Sequence, residues 1–227
     1  MKILGLIPAR SGSKGVKDKN IIKIKNKRLI EYTFSAVLKS KLINKIVLST
    51  NCKKVMRVKK KYNGIKLIKR PDILSKDNSS IFNVIKHTLN YEKQKLNFYD
   101  YLVLLQPTTP LKNAKMIDDG IKKIVKEKGT SLVSVYEVDD NHPARMYKIK
   151  SKKLIPISKK NQQKNRQKLE KIYHRDGNLY IFSCKNFSNK KIKNYYGNKI
   201  VPLVLSKNYK LNIDTYLDLE LAKVLIK

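Results

Sequence analysis

The sequence predicts a doubly wound α/β domain whose central sheet is mostly parallel. Short runs rich in Val, Ile and Leu alternate with longer segments whose apolar residues recur at helical spacing. The first such run, "KILGLIPA", is apolar throughout, which is typical of a parallel strand covered on both faces. Polar clusters follow four of the strand-like runs, where ligands bind in folds of this class.

Length and composition fit a single domain over 1–227, with 41% hydrophobic residues available for a core. No apolar run approaches the roughly 18 residues of a membrane-spanning helix, so we expect no membrane segment. The opening "MKILGLIPAR" becomes cationic too soon for a signal peptide. The two cysteines, Cys52 and Cys184, form neither a disulfide framework nor a zinc motif, which indicates a cytoplasmic protein.

In the first half of the chain, each predicted strand is followed by a predicted helix. After the opening strand, "LIEYTFSAVLKS" places Ile30, Phe34 and Val37 at helical spacing. We predict a second strand at "KIVLST", a helix at "CKKVMRVKKKY" and a third strand at "IKLI". Serines that can cap a helix open "SSIFNVIKHTLNY", which is the next predicted helix.

The second half continues the alternation and then interrupts it. We predict strands at "YDYLVLLQP" and "SLVSVYEV" around a helix that directs Ile117, Ile121, Ile124 and Val125 inward. From about 139 to 173 the pattern loosens, and we interpret this stretch as an inserted arm. Strands at "NLYIFS" and "KIVPLVLS" and a final helix, "TYLDLELAKVLIK", complete the domain.

The net charge of +35 permits two interpretations. One is binding to nucleic acid or another anionic surface by an α/β protein. The other is drift in composition toward Lys, Ile and Asn. We favour drift, because the lysines are spread along the chain and are not gathered beside aromatic residues. The positive potential would still steer anionic small molecules to a cleft.

The loop after the first strand, "RSGSKGVKDKN", is a candidate phosphate site. It matches neither the Walker A pattern nor G-x-G-x-x-G. Gly12 and Gly15 permit tight turns and close approach of backbone N–H groups to an anion. Arg10, Lys14 and Lys19 add positive charge that suits phosphate. A solvated cationic loop is the alternative interpretation.

These motifs resemble those of the CMP-sialic acid synthetases, the acylneuraminate cytidylyltransferase family. The opening loop is similar to (I/L)-x-A-R-x-x-S-K-G-x-x-x-K-N, and "LLQPTTPLK" is similar to L-L-Q-P-T-S-P-L-R. Weaker matches follow in the family's order and span essentially the whole chain: "VLSTN", "KRPDILSKDNSS", "NRQKLEKIYHRDGNLYIF" and "NIDTYLDLELA".

The resemblance implies a Rossmann-like nucleotidyltransferase that transfers CMP from CTP to the C2 hydroxyl of a nonulosonic acid and releases pyrophosphate. The acceptor would be of the N-acylneuraminate, legionaminate or pseudaminate type. A related enzyme with another acceptor, such as a Kdo-like acid or a sugar phosphate, is the alternative. The Kdo enzymes resemble Q-G-D-E-P where this chain has Q-P-T-T-P, which disfavours them.

The resemblance also implies roles for individual residues. Those acting on the phosphates would be Arg10, Lys14 and Lys19, with Lys19 nearest the α-phosphate. Those lining the nucleotide side would be Ser13, Gly15, Asn20, Arg70, Ser79 and Ser80. Those holding the sugar would be Gln106, Arg145, Arg166 and Asp176. Either His174 or Arg175 could occupy a further arginine position of the family.

Two structural features follow from the same resemblance. Arg166 would come from the second subunit of a homodimer through the arm, whose Met146, Leu154 and Ile155 need an apolar partner. Magnesium would be held by Asp214 and Asn212, where the family has two aspartates. Because Asn212 and also Asn51 replace acids, we expect a weaker metal site. Asp214 could instead only favour the dipole of the last helix, and Asp218 suits a capping box.

Overall fold

The computed structural model describes residues 1–158, 165–188 and 194–226, without the side chain of Arg166. The strands in chain order are β1 (Ile3–Pro8), β2 (Lys23–Ile24), β3 (Lys27–Arg28), β4 (Lys45–Thr50), β5 (Ile65–Lys69), β6 (Tyr101–Leu104), β7 (Ser131–Glu137), β8 (Tyr147–Lys150), β9 (Lys153–Pro156), β10 (Tyr173–Ser183) and β11 (Ile200–Val204). The α-helices are α1 (Leu29–Leu38), α2 (Lys53–Lys59), α3 (Ile81–Lys93), α4 (Ala114–Lys126) and α5 (Tyr216–Leu225).

A seven-stranded sheet forms the centre of the domain, in the order β11-β7-β10-β6-β1-β4-β5. Strand β1 pairs in parallel with both β4 and β6, and β4 pairs in parallel with β5. Strand β10 runs antiparallel to β6 and β7. The predicted doubly wound, mostly parallel fold is therefore confirmed, with one antiparallel strand that periodicity could not orient.

Helices cover both faces of this sheet because the side chains of a strand alternate between faces. On β1, Ile3 and Ile7 pack in a core shared with α1, α2 and α4, and Leu4 and Leu6 pack in a second core shared with α3. A third core joins the opening loop to α5 through Val16 and other residues. The loop after β1 is thus fixed to the domain on two sides.

The predicted elements are present, with differences at their edges. Strand β10 begins at Tyr173, well before "NLYIFS", and its register with β7 shifts between Arg175 and Tyr180. The inward orientation of Val125 was wrong, because its side chain is 37% exposed near the C-terminal end of α4. The short pair β2–β3 was not predicted. Among the described residues, no helix has the length and apolarity to cross a bilayer.

The stretch from about 139 to 173 contains a separate hairpin in which β8 pairs with β9. The exposed large apolar side chains on and beside this hairpin are Met146, Tyr147, Ile149, Leu154, Ile155 and Ile157. An isolated two-stranded hairpin is marginally stable in water. Its apolar face therefore lacks a packing partner within the described part of the chain.

Candidate functional site

The loop after β1 is held in a defined conformation. Asn20 is buried, and its Nδ2 donates to the carbonyl oxygen of Arg10 at 3.1 Å. Asn51 accepts a hydrogen bond from Ser11 N at 2.9 Å and donates to Asp72 at 3.2 Å. Asn51 thus stabilises the loop from β4, and both of its polar side-chain atoms are already engaged.

The three loop cations that the sequence singled out all have carboxylate partners. Asp77 accepts Arg10 at 2.6 Å and Lys14 at 2.7 Å, and Asp214 accepts Lys19 at 2.7 Å. Hydrogen bonds from Lys14 and then Arg10 hold the pKa of Asp77 below its usual range. A triphosphate that enters here would compete with two aspartates for these cations.

A cavity of about 550 Å³, called the loop cavity here, opens beside these ion pairs. Its charged and polar lining includes Arg10, Lys14 and Lys19, predicted for the phosphates, and four residues predicted for the nucleotide side, namely Ser13, Asn20, Arg70 and Ser79. It also includes Gln106, predicted for the sugar, and Asn212 and Asp214, predicted for magnesium. Lys76 and Asp77 also line it. The cations outnumber the acids, so the loop cavity suits a polyanion.

The two adjacent serines have different roles. Ser80 caps α3, and its hydroxyl accepts the N–H of Phe82 at 3.2 Å. Ser79 lines the loop cavity, and its buried hydroxyl has no partner among the described residues. Since buried hydroxyls are normally hydrogen-bonded, Ser79 is the better candidate to contact a ligand.

Arg70 forms the buried wall of the loop cavity. Its side chain donates to the carbonyl oxygen of Ser49 at 2.8 Å and to the Ser49 hydroxyl at 3.2 Å. Burial, together with the charge of Arg10, lowers the pKa of Arg70 to about 10, which still leaves it charged at neutral pH. Arg70 is therefore not a surface arginine.

A second cavity, of about 600 Å³, lies beside the loop cavity and is called the aromatic cavity here. Its aromatic lining consists of Phe82, Tyr136, His174, Tyr180, Phe182 and Tyr196. The two cavities share Ile81, Gln106 and Asn212. Gln106 therefore lies at their junction, where a group bound in one cavity would meet a group bound in the other.

Arg175 and Lys210 supply the positive charge of the aromatic cavity; the sequence offered Arg175 only as an alternative to His174 and did not single out Lys210. Both His174 and Arg175 line it, and Arg175 donates to the Tyr196 hydroxyl at 3.0 Å. Lys210 also lines it, with its Nζ 4.8 Å from the centroid of the Tyr136 ring. Lys210 gave no sequence signal, because it stands in a cationic segment like many others.

The remaining sugar-binding candidates differ in position. Asp176 lines the aromatic cavity, with its Oδ1 accepting Ser134 Oγ and the N–H of Asn178. Arg145 lines neither cavity and pairs with Asp140 at 2.6 Å. The side chain of Arg166 lies outside the described residues, so its assignment stays a prediction.

Asp214 and Asn212 are adjacent in the loop cavity but already interact. Asn212 Nδ2 donates to Asp214 Oδ2 at 2.7 Å, and Lys19 binds the other carboxylate oxygen. Among the described residues, no group of three or more His, Cys, Asp or Glu side chains could hold a metal. Magnesium is often bound by one or two carboxylates together with substrate phosphates. One exposed carboxylate beside a polyanion cavity fits that arrangement.

Gly15 gives a test of the loop that depends on geometry alone. A Cβ at Gly15 would lie 2.0 Å from the backbone oxygen of Asp214, so Gly15→Ala must displace one of the two segments. If the loop cavity binds the CTP that the resemblance implies, we expect about a tenfold or greater loss of CTP affinity in isothermal titration, because the loop cavity would deform. Gly12→Ala is the control. Its φ of +72° brings strain of about 1–2 kcal/mol, but a Cβ at Gly12 would meet no other atom within 4 Å. Equal CTP affinities for the two variants would contradict this view of the loop.

Comparisons with known proteins identify relatives of this chain. The family model for cytidylyltransferases matches residues 4–225. The chain is 29% identical over 223 residues to N-acylneuraminate cytidylyltransferase of Escherichia coli O18:K1:H7, covering 97% of this chain but only 51% of that relative. It is 29% identical to the pseudaminic acid cytidylyltransferase of Campylobacter jejuni serotype O:2, covering 100% of this chain and 97% of the relative. It is 31% identical to CMP-N,N'-diacetyllegionaminic acid synthase of Legionella pneumophila, again covering 100% and 97%.

Solved structures support the fold. A CMP:2-keto-3-deoxy-manno-octonic acid synthetase in complex with CTP matches with a TM-score of 0.71 at 14% identity, covering 100% of this chain and 98% of that one. A 4-diphosphocytidyl-2C-methyl-D-erythritol synthase matches with a TM-score of 0.73 at 11% identity, covering all of both chains. The family match over residues 4–225, together with the relative that is 31% identical over the full chain, shows that the chain belongs to the cytidylyltransferase family.

Proposed function

We propose that this protein transfers CMP from CTP to the C2 hydroxyl of a nonulosonic acid and releases pyrophosphate. The observation that carries the proposal is the meeting of two cavities at Gln106, one cationic and one aromatic. Relatives named for N-acylneuraminate, pseudaminic acid and legionaminic acid support the acceptor class. A soluble nonulosonic acid and CTP are then the two substrates.

The reaction is a substitution at the α-phosphorus of CTP. The acceptor's C2 hydroxyl oxygen forms a bond to that phosphorus and gives up its proton to water, while the bond from the phosphorus to the oxygen bridging the α- and β-phosphates breaks and pyrophosphate leaves. Arg10, Lys14 and Lys19 would offset the charge that develops on the phosphates, since phosphoryl transfer depends mainly on positioning and electrostatic stabilisation. Asp77 and Asp214 hold these cations in place before CTP enters.

The aromatic cavity would hold the acceptor. Gln106 would hydrogen-bond the sugar at the junction, next to the α-phosphate. Arg175 and Lys210 are cations of this cavity that could attract the acceptor's carboxylate. Arg145 and Arg166, which the resemblance favours for that role, would have to act from a neighbouring subunit or after a rearrangement of the arm.

Magnesium would be held by Asp214, by the amide oxygen of Asn212 and by phosphate oxygens of CTP. When bound, it would neutralise phosphate charge and orient the leaving pyrophosphate. The amide carries no formal charge, so we expect weaker binding than a pair of carboxylates would give. Cys52 and Cys184 are unpaired, which suits the reducing cytoplasm where we place the protein.

Pyrophosphate release tests the proposed function directly. The purified protein is incubated with magnesium, each of the four nucleoside triphosphates and each of N-acetylneuraminic, legionaminic and pseudaminic acid, with Kdo as a further acceptor. We expect release with CTP and one or more of the nonulosonic acids. Turnover with Kdo or a sugar phosphate alone would favour the alternative acceptor. Salt-sensitive binding to random DNA without any turnover would favour the nucleic-acid interpretation of the +35 charge.

A homodimer would cover the exposed face of the β8–β9 hairpin. Ile149 is 78% exposed and Leu154 is 67% exposed, which is unusual for side chains of this size on a hairpin. We expect a dimer in sedimentation at assay concentration. An active monomer would contradict the dimer and the role of the arm at about 139–173.

Subunit complementation gives a sharper test of the arm. Lys19→Ala and Arg166→Ala should each inactivate the enzyme if Arg166 serves the neighbouring site. Mixing the two inactive variants should restore part of the activity, because some mixed dimers contain one intact site. Two Lys19→Ala preparations mixed together are the control. If the dimers are shown to exchange subunits and the mixture still has no activity, Arg166 acts in the site of its own subunit or in no site.

A further inference from the structure

Lys112 is a buried cation that the proposed chemistry does not use. It lies between Leu111 and the start of α4, and only 4% of the residue is exposed. Burying an ammonium costs several kcal/mol, which a side chain of similar length such as Met would avoid. A lysine kept at such a position needs a compensating set of contacts.

Within the described residues, the hydrogen bonds of the Lys112 ammonium go to the loop that carries Gln106. Its Nζ donates to Gln106 O at 2.6 Å, to Thr109 O at 2.5 Å and to Thr109 Oγ1 at 2.6 Å. An ammonium has three N–H donors, so the three acceptors account for all of them. A neutral amine has two N–H groups and a lone pair, so it could keep all three contacts only if the Thr109 hydroxyl turned to donate to it and gave up its contact with Gly177 O.

The loop from Gln106 to Thr109 contacts segments that line both the aromatic cavity and the loop cavity. The hydroxyl of Thr109 lies 3.3 Å from the carbonyl oxygen of Gly177, on the irregular part of β10. The carbonyl oxygen of Thr108 accepts the N–H of Ile213, next to Asp214, at 2.8 Å. Lys112 therefore closes a turn that spans the aromatic cavity, the junction and the segment leading to α5.

We propose that Lys112 is a positioning residue, which fixes the Gln106–Thr109 loop so that the Gln106 side chain stands between the two cavities and orients the acceptor. The inference rests on the proposed function, because it concerns the acceptor of that reaction. Lys112 itself lines neither cavity, and it acts through the backbone of Gln106. Pro107 and Thr108 of this loop also line the loop cavity, but the cations proposed to bind the triphosphate lie on other segments, so we expect the larger effect on the acceptor.

The test is a steady-state comparison of Lys112→Met, Lys112→Arg and Lys115→Met. Lys115 is the matched control, since it lies on the exposed face of α4 and pairs with Asp119. For Lys112→Met we expect a loss of about 10²-fold in kcat/KM for the acceptor, with KM for CTP changed far less. Lys112→Arg should retain most of the wild-type kcat/KM for the acceptor, and Lys115→Met should match the wild type.

A pH profile separates positioning from plain structural support. Burial lowers the pKa of Lys112 to about 7, and the charge of Asp176 opposes that shift. The acceptor kcat/KM should therefore fall as pH rises through this value, when the ammonium loses its third donor. Lys112→Arg keeps its charge and should lack this fall.

The outcomes are distinct. A wild type without turnover on any acceptor would refute the proposed function. An active wild type with equal acceptor kcat/KM in Lys112→Met would refute the positioning role alone. Equal losses for acceptor and CTP, or a wild-type pH profile in Lys112→Arg, would also refute it. If a thermal melt shows that Lys112→Met does not fold, the pH profile of acceptor kcat/KM in Lys112→Arg tests the positioning role by itself.

Discussion

Lys19→Ala is expected to lower kcat by about 10²- to 10³-fold, the range for removing one group that stabilises charge in a transition state. The Lys19 side chain is only 12% exposed, and it is aimed by Asp214 and by the carbonyl oxygen of Ile213 at 2.8 Å. Because Asp214 already partners Lys19 in the free protein, part of the gain from binding CTP is offset. The charge of Lys19 should therefore act mainly as charge develops on the phosphates.

The control for this result lies in the same loop. Lys17 is exposed and lines neither cavity, so Lys17→Ala removes one loop charge without removing the proposed contact. Turnover under saturating CTP and acceptor, together with CTP affinity by titration, separates the two steps. An unchanged kcat in Lys19→Ala, or an equal loss in Lys17→Ala, would show that the loop contributes only general positive charge.

Asp214→Ala is expected to abolish turnover at limiting magnesium and to raise the half-saturating magnesium concentration at least about tenfold. One charge–charge contact at about 4 Å is worth about 1–4 kcal/mol in a partly exposed site, and 1.4 kcal/mol is tenfold. CTP affinity without magnesium should not weaken, since the competing carboxylate on Lys19 is removed. Asp119→Asn, a change on the exposed face of α4, is the control and should behave like the wild type.

Asn212→Asp adds a carboxylate to the proposed magnesium ligands and so tests them in the opposite direction. Asn212→Asp would place a second carboxylate beside Asp214, where the amide now donates a hydrogen bond at 2.7 Å. We expect a lower half-saturating magnesium concentration, because an ion would relieve the repulsion between the two acids. If neither variant changed the magnesium requirement, Asp214 would be only a partner of Lys19 and a charge at the start of α5.

The sequence allowed most of the fold to be predicted because local periodicity defines elements in a βα alternation. Capping residues helped to locate the starts of helices. Ser80 accepts the N–H of Phe82 at the start of α3, and Asp218 accepts the N–H of Thr215 at 2.7 Å at the start of α5. The antiparallel direction of β10 could not be predicted from the sequence, because the periodicity of a strand is the same in either direction. Its direction depends on the path of the preceding arm.

The candidate site was predictable where one segment carries the chemistry and less so where distant segments meet. The opening loop and Gln106 do line one connected site. The roles of Asp77 as a shared partner and of Lys112 depend on contacts that only the fold creates. The distinction between Ser79 and Ser80 depends on the residue at which α3 begins, and a shift of one residue would exchange them.

The identity of the product tests the central claim most directly. The protein, magnesium, CTP and the acceptor that releases pyrophosphate are incubated together and followed by phosphorus NMR and mass spectrometry. Transfer of CMP predicts one new phosphodiester signal with a single phosphorus, formed in equal amount to pyrophosphate, and the mass of the acceptor plus CMP less water. A product that retains two phosphorus atoms between cytidine and the sugar would contradict the account, as would hydrolysis of CTP to CMP with no conjugate.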